Sequence, residues 1–350
     1  MSHFRINNRE IGPGMPPYVI AEMSGNHNQS FDQAIAILDA AVRAGASALK
    51  LQIYTADTLT IDSDKSDFFI NNNDSIWKGN TLYKLYESAY TKWDWIASIM
   101  VAAADRGIDC FSSVFDESSI DFMENLNVCA YKIASFENNH IPLIRKAAST
   151  KKPLIISTGM ATYDEIQEAV DNAREAGCVD LALLKCTSDY PATISESNIS
   201  AIPYLKEKFS CEVGLSDHTL GIGVAIASIG IGGTIIEKHF TTSREVQSVD
   251  STFSADEDEF TLLVRSANEA ADSIGSSVLG ISEGEKKSIQ FRRSIYASKP
   301  IKSGEKLTEE NIRIIRPGYG LHPRYYSYLI GRISHKDLDA GDRIDDSFID

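Results

Sequence analysis

A chain of 350 residues is long enough for two domains, or for one large barrel with a small module attached. Its 43% hydrophobic and 24% charged residues are ordinary for a globular protein, and a formal net charge of −15 sets the molecule as a whole against nucleic acid and anionic membranes. The five cysteines form no C-x-x-C pair, the opening "MSHFRINNRE" has no leader-like apolar core, and no run of about 18 apolar residues exists, so the expectation is a cytoplasmic protein with reduced thiols and no membrane span.

Along the chain, short apolar runs alternate with stretches whose apolar residues recur at helical spacing. "YVIAEM" at 18–23 precedes the helix-like "FDQAIAILDAAVRAG", and "ALKLQIY" at 48–54 begins the second such unit. "DCFSSVF", "AYKIAS", "PLIISTG", "LALLKCTS", "CEVGLSDH" and "TIIEKHF" continue the series, each separated from the next by a helical segment. Several helices close on "AG" or "RG" just before the next strand, as a helix stop should. Eight strand–helix units over about 250 residues predict an α/β fold, a (β/α)8 TIM barrel. The alternative, a doubly wound sheet, usually opens with a Gly-rich nucleotide loop, and "AEMSGNHN" after the first strand is not one.

One connection is much longer than the rest. Residues 55–92 separate the second strand from the helix before the third, and the stretch 62–77 within them reads as a lid or substrate wall. Past Gly275 the composition turns polar and Gly/Ser-containing, so the domains are expected at 1–275 for the barrel, 276–290 for a linker and 291–350 for a small second domain. That last segment contains a weak repeat. "ASKPIKSGEKLTEENI" aligns with "SHKDLDAGDRIDDSFI", placing Ile301 on Leu338, Gly304 on Gly341, Leu307 on Ile344 and Ile312 on Ile349.

Chemistry in a barrel belongs at the C-terminal ends of its strands. Those ends carry Glu22, then Lys50 and Gln52, Ser112 and Ser113, Lys132 with Ser135 and Glu137, Ser157, Lys185 with Ser188 and Tyr190, Ser216 with His218, and Glu237 with His239. Lysines in a barrel mouth need a counter-charge, because burying an unpaired charge is costly. Two readings stay open: Lys50 and Lys132 bind an anion with Ser113, Ser135, Ser157 and Ser216 as hydroxyl donors, or they pair with Glu22 and Glu237 in structural ion pairs. His218 and His239, on neighbouring strand ends, read as two ligands of one divalent metal with positions left for water and substrate, against hydrogen-bonded core histidines.

In order, "AEMSGNH", "LKLQ", "YKIAS-E", "ISTGM", "GLSDHT" and "EKHF" resemble the barrel motifs of the sialic acid synthase family, and "RPGYG" with the glycine repeat resembles its C-terminal antifreeze-like (SAF) domain. Within the family, "IAEMSGNHN", "LQIYTADTLT", "IASFEN", "FRRSIY" and "RPGYGLHP" look most like the branch that makes pseudaminic acid. The resemblance implies a condensation of phosphoenolpyruvate with an amino-sugar aldose, for this branch 2,4-diacetamido-2,4,6-trideoxy-L-altrose. N-acetylneuraminate or legionaminate synthesis by the same chemistry is the alternative, and a non-catalytic carbohydrate-binding module a remote one. The resemblance implies that Lys50, Ser113, Lys132, Ser135, Ser157 and Ser216 hold phosphoenolpyruvate, with Ser188 a substrate contact to the sugar or the phosphate. His218 and His239 would hold manganese, with magnesium or cobalt as alternatives. Glu22, Glu137, Tyr190 and Asp250 would surround the sugar and the attacking water, with Glu22 the first choice of base. Arg316 would reach the partner subunit's site in a domain-swapped homodimer. The chain departs from the family pattern at Ser113-Val114, where Thr-Pro is frequent, and at Ser188, where the sialate branch tends to have asparagine.

Overall fold

The computed structural model describes residues 4–71 and 77–349. By its contacts the chain divides into a first unit of residues 1–275 and a second of residues 276–350.

The first unit begins with a hairpin, β1 (Phe4–Ile6) and β2 (Arg9–Ile11), that the sequence reading did not find. Eight parallel strands follow: β3 (Tyr18–Glu22), β4 (Ala48–Ile53), β5 (Asp109–Val114), β6 (Tyr131–Ile133), β7 (Leu154–Ser157), β8 (Leu181–Cys186), β9 (Glu212–Asp217) and β10 (Ile235–His239). They close into a barrel in chain order, with β10 pairing β3. Every strand coincides with an expected apolar run. These strands are buried on both faces, which is why they read as nearly continuous apolar stretches instead of alternating ones.

Around the barrel run α1 (Phe31–Arg43), α2 (Ala56–Leu59), α3 (Leu82–Ala89), α4 (Trp93–Asp105), α5 (Glu117–Asn125), α6 (Ile141–Ser149), α7 (Tyr163–Glu175), α8 (Ala201–Phe209), α9 (Gly223–Gly230) and α10 (Glu257–Ser273). Their starts are set locally. Ser30, Asp116 and Asp256 accept hydrogen bonds from first-turn amides, and Thr162 with Glu165 forms a reciprocal capping box. The expected stops hold: Gly45, Gly107 and Gly177 all have positive φ, a conformation that costs glycine nothing.

The hairpin seals the end of the barrel away from the strand C-termini. Phe4, Ile6 and Ile11 are buried in the barrel's core cluster. Asn7 Nδ2 donates to Asp109 Oδ1 (2.5 Å) and Tyr18 OH donates to Asp109 Oδ2 (2.8 Å), and Asp109 is the first residue of β5. Three-residue strands are too short to show a period of two, so the pattern gave no signal.

The second unit carries a 3-10 turn at Glu285–Phe291, within and just after the stretch read as linker, then the antiparallel pair β11 (Ser294–Ala297) and β12 (Ile312–Ile315), and the short α11 (Tyr326–Leu329). Its core holds Ile301, Leu307, Ile312, Leu338 and Ile344, the positions the repeat aligned. The two halves meet there: Ile301 and Leu338 exchange both backbone hydrogen bonds at 2.8 Å, and Gly304 and Gly341 turn the chain with φ of 88° and 97°.

Candidate active site

Lys50 and Lys132 make the ion pairs of the second reading. Lys50 Nζ forms an ion pair with Glu22, lies 3.7 Å from Glu237 and donates to Ser113 Oγ at 2.8 Å. Lys132 Nζ lies 3.4 Å from Glu237, which also accepts from Ser216 Oγ at 3.3 Å. Two lysines and two glutamates thus form one compact, nearly neutral cluster inside the barrel. Register explains the assembly: Glu22 pairs with Lys50 across β3–β4, Ser113 with Lys132 across β5–β6, and Glu237 with Ser216 across β9–β10. Gln52 completes it, donating to Glu22 Oε1 at 2.8 Å.

The electrostatics follow from burial. It raises Glu22 to about 7 against the pull of Lys50. Glu137 is likewise pushed up to about 7, burial outweighing Lys132 and Lys50. Burial lowers Lys132, whereas for Lys50 the nearby Glu22 and Glu237 outweigh burial and hold it up. Two carboxyls near neutrality can accept protons as anions enter, which lessens repulsion.

Next to this cluster is a serine cradle. Ser135 Oγ accepts from the Gly159 amide (3.1 Å), and Asn138 Nδ2 donates to the Gly159 carbonyl (2.9 Å). A Cβ at Gly159 would lie 2.2 Å from Ser188 Oγ and 2.6 Å from Ser135 Oγ, so only glycine lets these hydroxyls converge. Ser157 Oγ is buried with no hydrogen-bond partner among the described residues, and so is Oε2 of Glu237. Unpaired buried polar atoms are uncommon in finished cores and are expected where a ligand completes the bonding.

His218 and His239 stand with ring centroids 5.4 Å apart, flanked by Tyr190 at 4.4 Å and 6.1 Å. His218 Nδ1 lies 2.8 Å from the Thr187 carbonyl, which only accepts, so Nδ1 carries the proton and Nε2 keeps its lone pair. His239 Nδ1 is buried without a hydrogen-bond partner among the described residues. Burial, His218 and the lysines push His239 well below an ordinary imidazole. A neutral imidazole with an orphaned nitrogen beside a second whose tautomer is fixed fits a divalent first-row metal. Among the described residues no group of three or more histidine, cysteine or acidic side chains is arranged for a metal, so substrate and water would have to complete the coordination. Sequence reasoning passed over Cys186, whose Sγ is 3.8 Å from His218 Nδ1 and whose thiol is brought down to about 6, burial being outweighed by His218 and neighbouring donors. It also passed over the buried pair Lys238–Asp217 (2.8 Å), which ties β9 to β10 behind the histidines.

A cavity of about 380 Å³ opens over this floor, lined by Glu137, Tyr190, His239 and Asp250 together with residues of the long connection. Asp250 is buried, accepts from Ser24 Oγ at 2.5 Å and is raised by that burial. Ile70 and Trp77 of the expected lid line the cavity; residues 72–76 of that stretch lie outside the described residues. The long connection is fastened by the loop after β3, where His27 Nε2 meets Thr91 Oγ1 (3.1 Å) and Gln29 Nε2 donates to the Glu87 carbonyl (2.6 Å), and by the loop after β10, where the Val249 carbonyl accepts from Trp77 Nε1 (3.0 Å). Thirteen of the fourteen expected site residues therefore belong to the barrel mouth. Arg316 belongs to the second unit, follows β12, is exposed, and has no ion-pair or hydrogen-bond partner among the described residues.

The fold and this mouth define a TIM-barrel protein whose strand ends gather lysines, serines and a histidine pair. Residues 37–278 match the NeuB family and residues 292–349 match the SAF domain. A pseudaminic acid synthase of Campylobacter jejuni is 44% identical over 94% of this chain and 96% of its own length. An N,N'-diacetyllegionaminic acid synthase of Legionella pneumophila is 34% identical over 94% of each. The crystal structure of an N-acetylneuraminic acid synthetase from Leptospira borgpetersenii superposes with a TM-score of 0.73 at 28% identity, covering 83% of this chain and 96% of that one. The chain belongs to the NeuB family.

Proposed function

We propose that the protein condenses phosphoenolpyruvate with 2,4-diacetamido-2,4,6-trideoxy-L-altrose, releasing phosphate and forming pseudaminic acid. The observation that carries this reading is 44% identity along almost the whole chain to a pseudaminic acid synthase, in a barrel whose mouth gathers Lys50, Lys132 and Ser157, whose Oγ has no hydrogen-bond partner among the described residues. Lys50 and Lys132 offset the charge of the enolpyruvyl phosphate and carboxylate, and Ser113, Ser135, Ser157, Ser188 and Ser216 donate to their oxygens. A divalent metal, manganese with magnesium or cobalt as substitutes, would be held by His218 and His239 and would polarise the sugar aldehyde. C3 of phosphoenolpyruvate adds to the aldehyde carbon, water adds to C2, and phosphate leaves with cleavage of its bond to C2.

A carboxylate must take the proton of that water. Glu22, first choice from sequence, has one oxygen on Lys50 and the other on Gln52. Glu137 lines the cavity, has a buried Oε2 without a partner among the described residues, and is poised near 7. The geometry favours Glu137 as the base, with Glu22 holding Lys50 and Asp250 and Tyr190 orienting the sugar. Arg316 reaches the partner's site in a domain-swapped homodimer in this account. The five free cysteines and the demand for phosphoenolpyruvate support a cytoplasmic location.

The test is phosphate release by the purified protein with manganese, with and without a chelator. It is run with the altrose, its legionaminate-precursor isomer and N-acetylmannosamine. Chelator-sensitive release with the altrose is expected. Release with another sugar alone would keep the chemistry and overturn the substrate, and no release with any would overturn both.

A further inference from the structure

The cavity over the barrel mouth has two unlike sides. Its floor is polar, with Glu137, Asp250, Tyr190 and His239 at strand ends. Its wall is Leu59, Ile70, Leu82, Leu85, Phe115 and Phe136. Four of these six lie in the long connection between β4 and α4, the insertion that breaks the barrel's otherwise short spacing. Within the wall, Tyr54 stacks edge-on against Tyr86 (centroids 5.8 Å apart) and Phe115 (5.2 Å). Both tyrosines line the cavity, and neither hydroxyl has a hydrogen-bond partner among the described residues.

A site for a fully hydroxylated sugar places a donor or acceptor opposite each hydroxyl, because a buried hydroxyl without a partner is penalised. This wall offers two phenols and otherwise carbon. It suits methyl groups, and the two hydroxyls can donate to carbonyl oxygens between them. With the aldehyde at the histidines, the far end of an open-chain sugar meets the wall.

We propose that the insertion wall is the specificity determinant: it selects aldoses that end in a methyl group and carry acetamido substituents, and disfavours those with a hydroxyl on the terminal carbon. The inference rests on the reaction proposed above and names the residues that choose its sugar. An apolar pocket rejects an added hydroxyl by about tenfold to about a hundredfold in kcat/KM. It does not distinguish the altrose from its legionaminate-precursor isomer, since both end in a methyl group.

The experiment compares kcat/KM for 2,4-diacetamido-2,4,6-trideoxy-L-altrose and its 6-hydroxy counterpart. It uses the full-length protein and its Leu82→Asn and Leu85→Asn variants; both leucines are only half-buried, and Leu85→Ala serves if asparagine abolishes turnover. The parent protein is expected to prefer the trideoxy sugar by about tenfold to about a hundredfold, and the variants to narrow that preference by about tenfold with the KM for phosphoenolpyruvate unchanged. Equal efficiency of the parent on both sugars, or an unchanged preference in active variants, would overturn the inference alone. Turnover of N-acetylmannosamine and neither diacetamido sugar would overturn it together with the proposed function.

Discussion

Replacing Gly159 by alanine puts the phosphoenolpyruvate cradle under direct test. The new Cβ would stand 2.2 Å from Ser188 Oγ, 2.6 Å from Ser135 Oγ and 2.9 Å from Ser135 Cβ, where ordinary contact begins near 3.4 Å. Ser188 must therefore retreat by about 1 Å, and Ser135, which is buried, must give up its bond from the Gly159 amide. Overpacking of this kind costs about 1–3 kcal/mol of stability. The larger effect falls on the ligand. A hydrogen bond to a charged group contributes about 1.5–3 kcal/mol, so displacing one or both hydroxyls raises the KM for phosphoenolpyruvate by about tenfold to about a hundredfold. The KM for the sugar should change far less. The assay is continuous phosphate release with each substrate varied in turn, beside the thermal unfolding midpoint. Adding Ser188→Ala removes the closest clash but not those with Ser135, so the double variant should recover part of the stability without recovering the KM for phosphoenolpyruvate. A Gly159→Ala protein whose unfolding midpoint falls while that KM stays within about twofold would refute the assignment of Ser135 and Ser188 to the anion.

Glu137→Gln should lower kcat by about a hundredfold or more while leaving the KM for phosphoenolpyruvate within a few-fold. A base poised near 7 works as the carboxylate, so at saturating metal kcat of the parent protein should climb as pH rises through about 7 and level off above it, a limb the variant lacks; an unchanged profile would remove Glu137 from that role. Gly25→Ala would place a Cβ 2.4 Å from Val249 Cγ2 and 3.2 Å from Ala89, pushing apart two cavity walls, so the KM for the sugar should rise more than that for phosphoenolpyruvate. Arg316→Ala and Lys132→Met should each be inactive alone; mixed and reassembled, a domain-swapped dimer regains about a quarter of the parent activity, because half of the dimers are mixed and each mixed dimer holds one intact site of two. Failure to complement would place Arg316 in its own chain's site or outside catalysis.

Much of this architecture was legible because it is written in local pattern. The eight strands showed as apolar runs of strand length, and the helices as periodic stretches closed by Gly45, Gly107 and Gly177. Glu22 and His239 were located because each closes an apolar run, and Lys50 and Lys132 because each is a charge set inside one. What stayed hidden depends on partners distant in sequence. That Glu237 bridges Lys50 and Lys132 follows from barrel closure, which sets β10 against β9 and β3 and carries no signature in "IIEKHF". The pairing of Lys238 with Asp217 is hidden for the same reason, two charges facing each other across neighbouring strands. Preference for Glu137 over Glu22 as base could not come from composition, since it turns on which carboxylate is already held, Glu22 by Lys50 and Gln52. The apolar wall was only half visible: Ile70 and Trp77 fall in the expected lid, but Leu59, Leu82 and Leu85 flank it on short helices that look like surface insertions.

The central claim is that this barrel joins an intact three-carbon unit to a diacetamido sugar and releases phosphate from carbon. The most direct measurement uses phosphoenolpyruvate labelled with oxygen-18 at the bridging position, the trideoxy altrose and manganese, with mass spectrometry of both products. The account predicts a nine-carbon keto acid with the mass of pseudaminic acid and the label wholly in phosphate. Label retained in the organic product, or pyruvate and unaltered sugar in place of the nine-carbon acid, would contradict it.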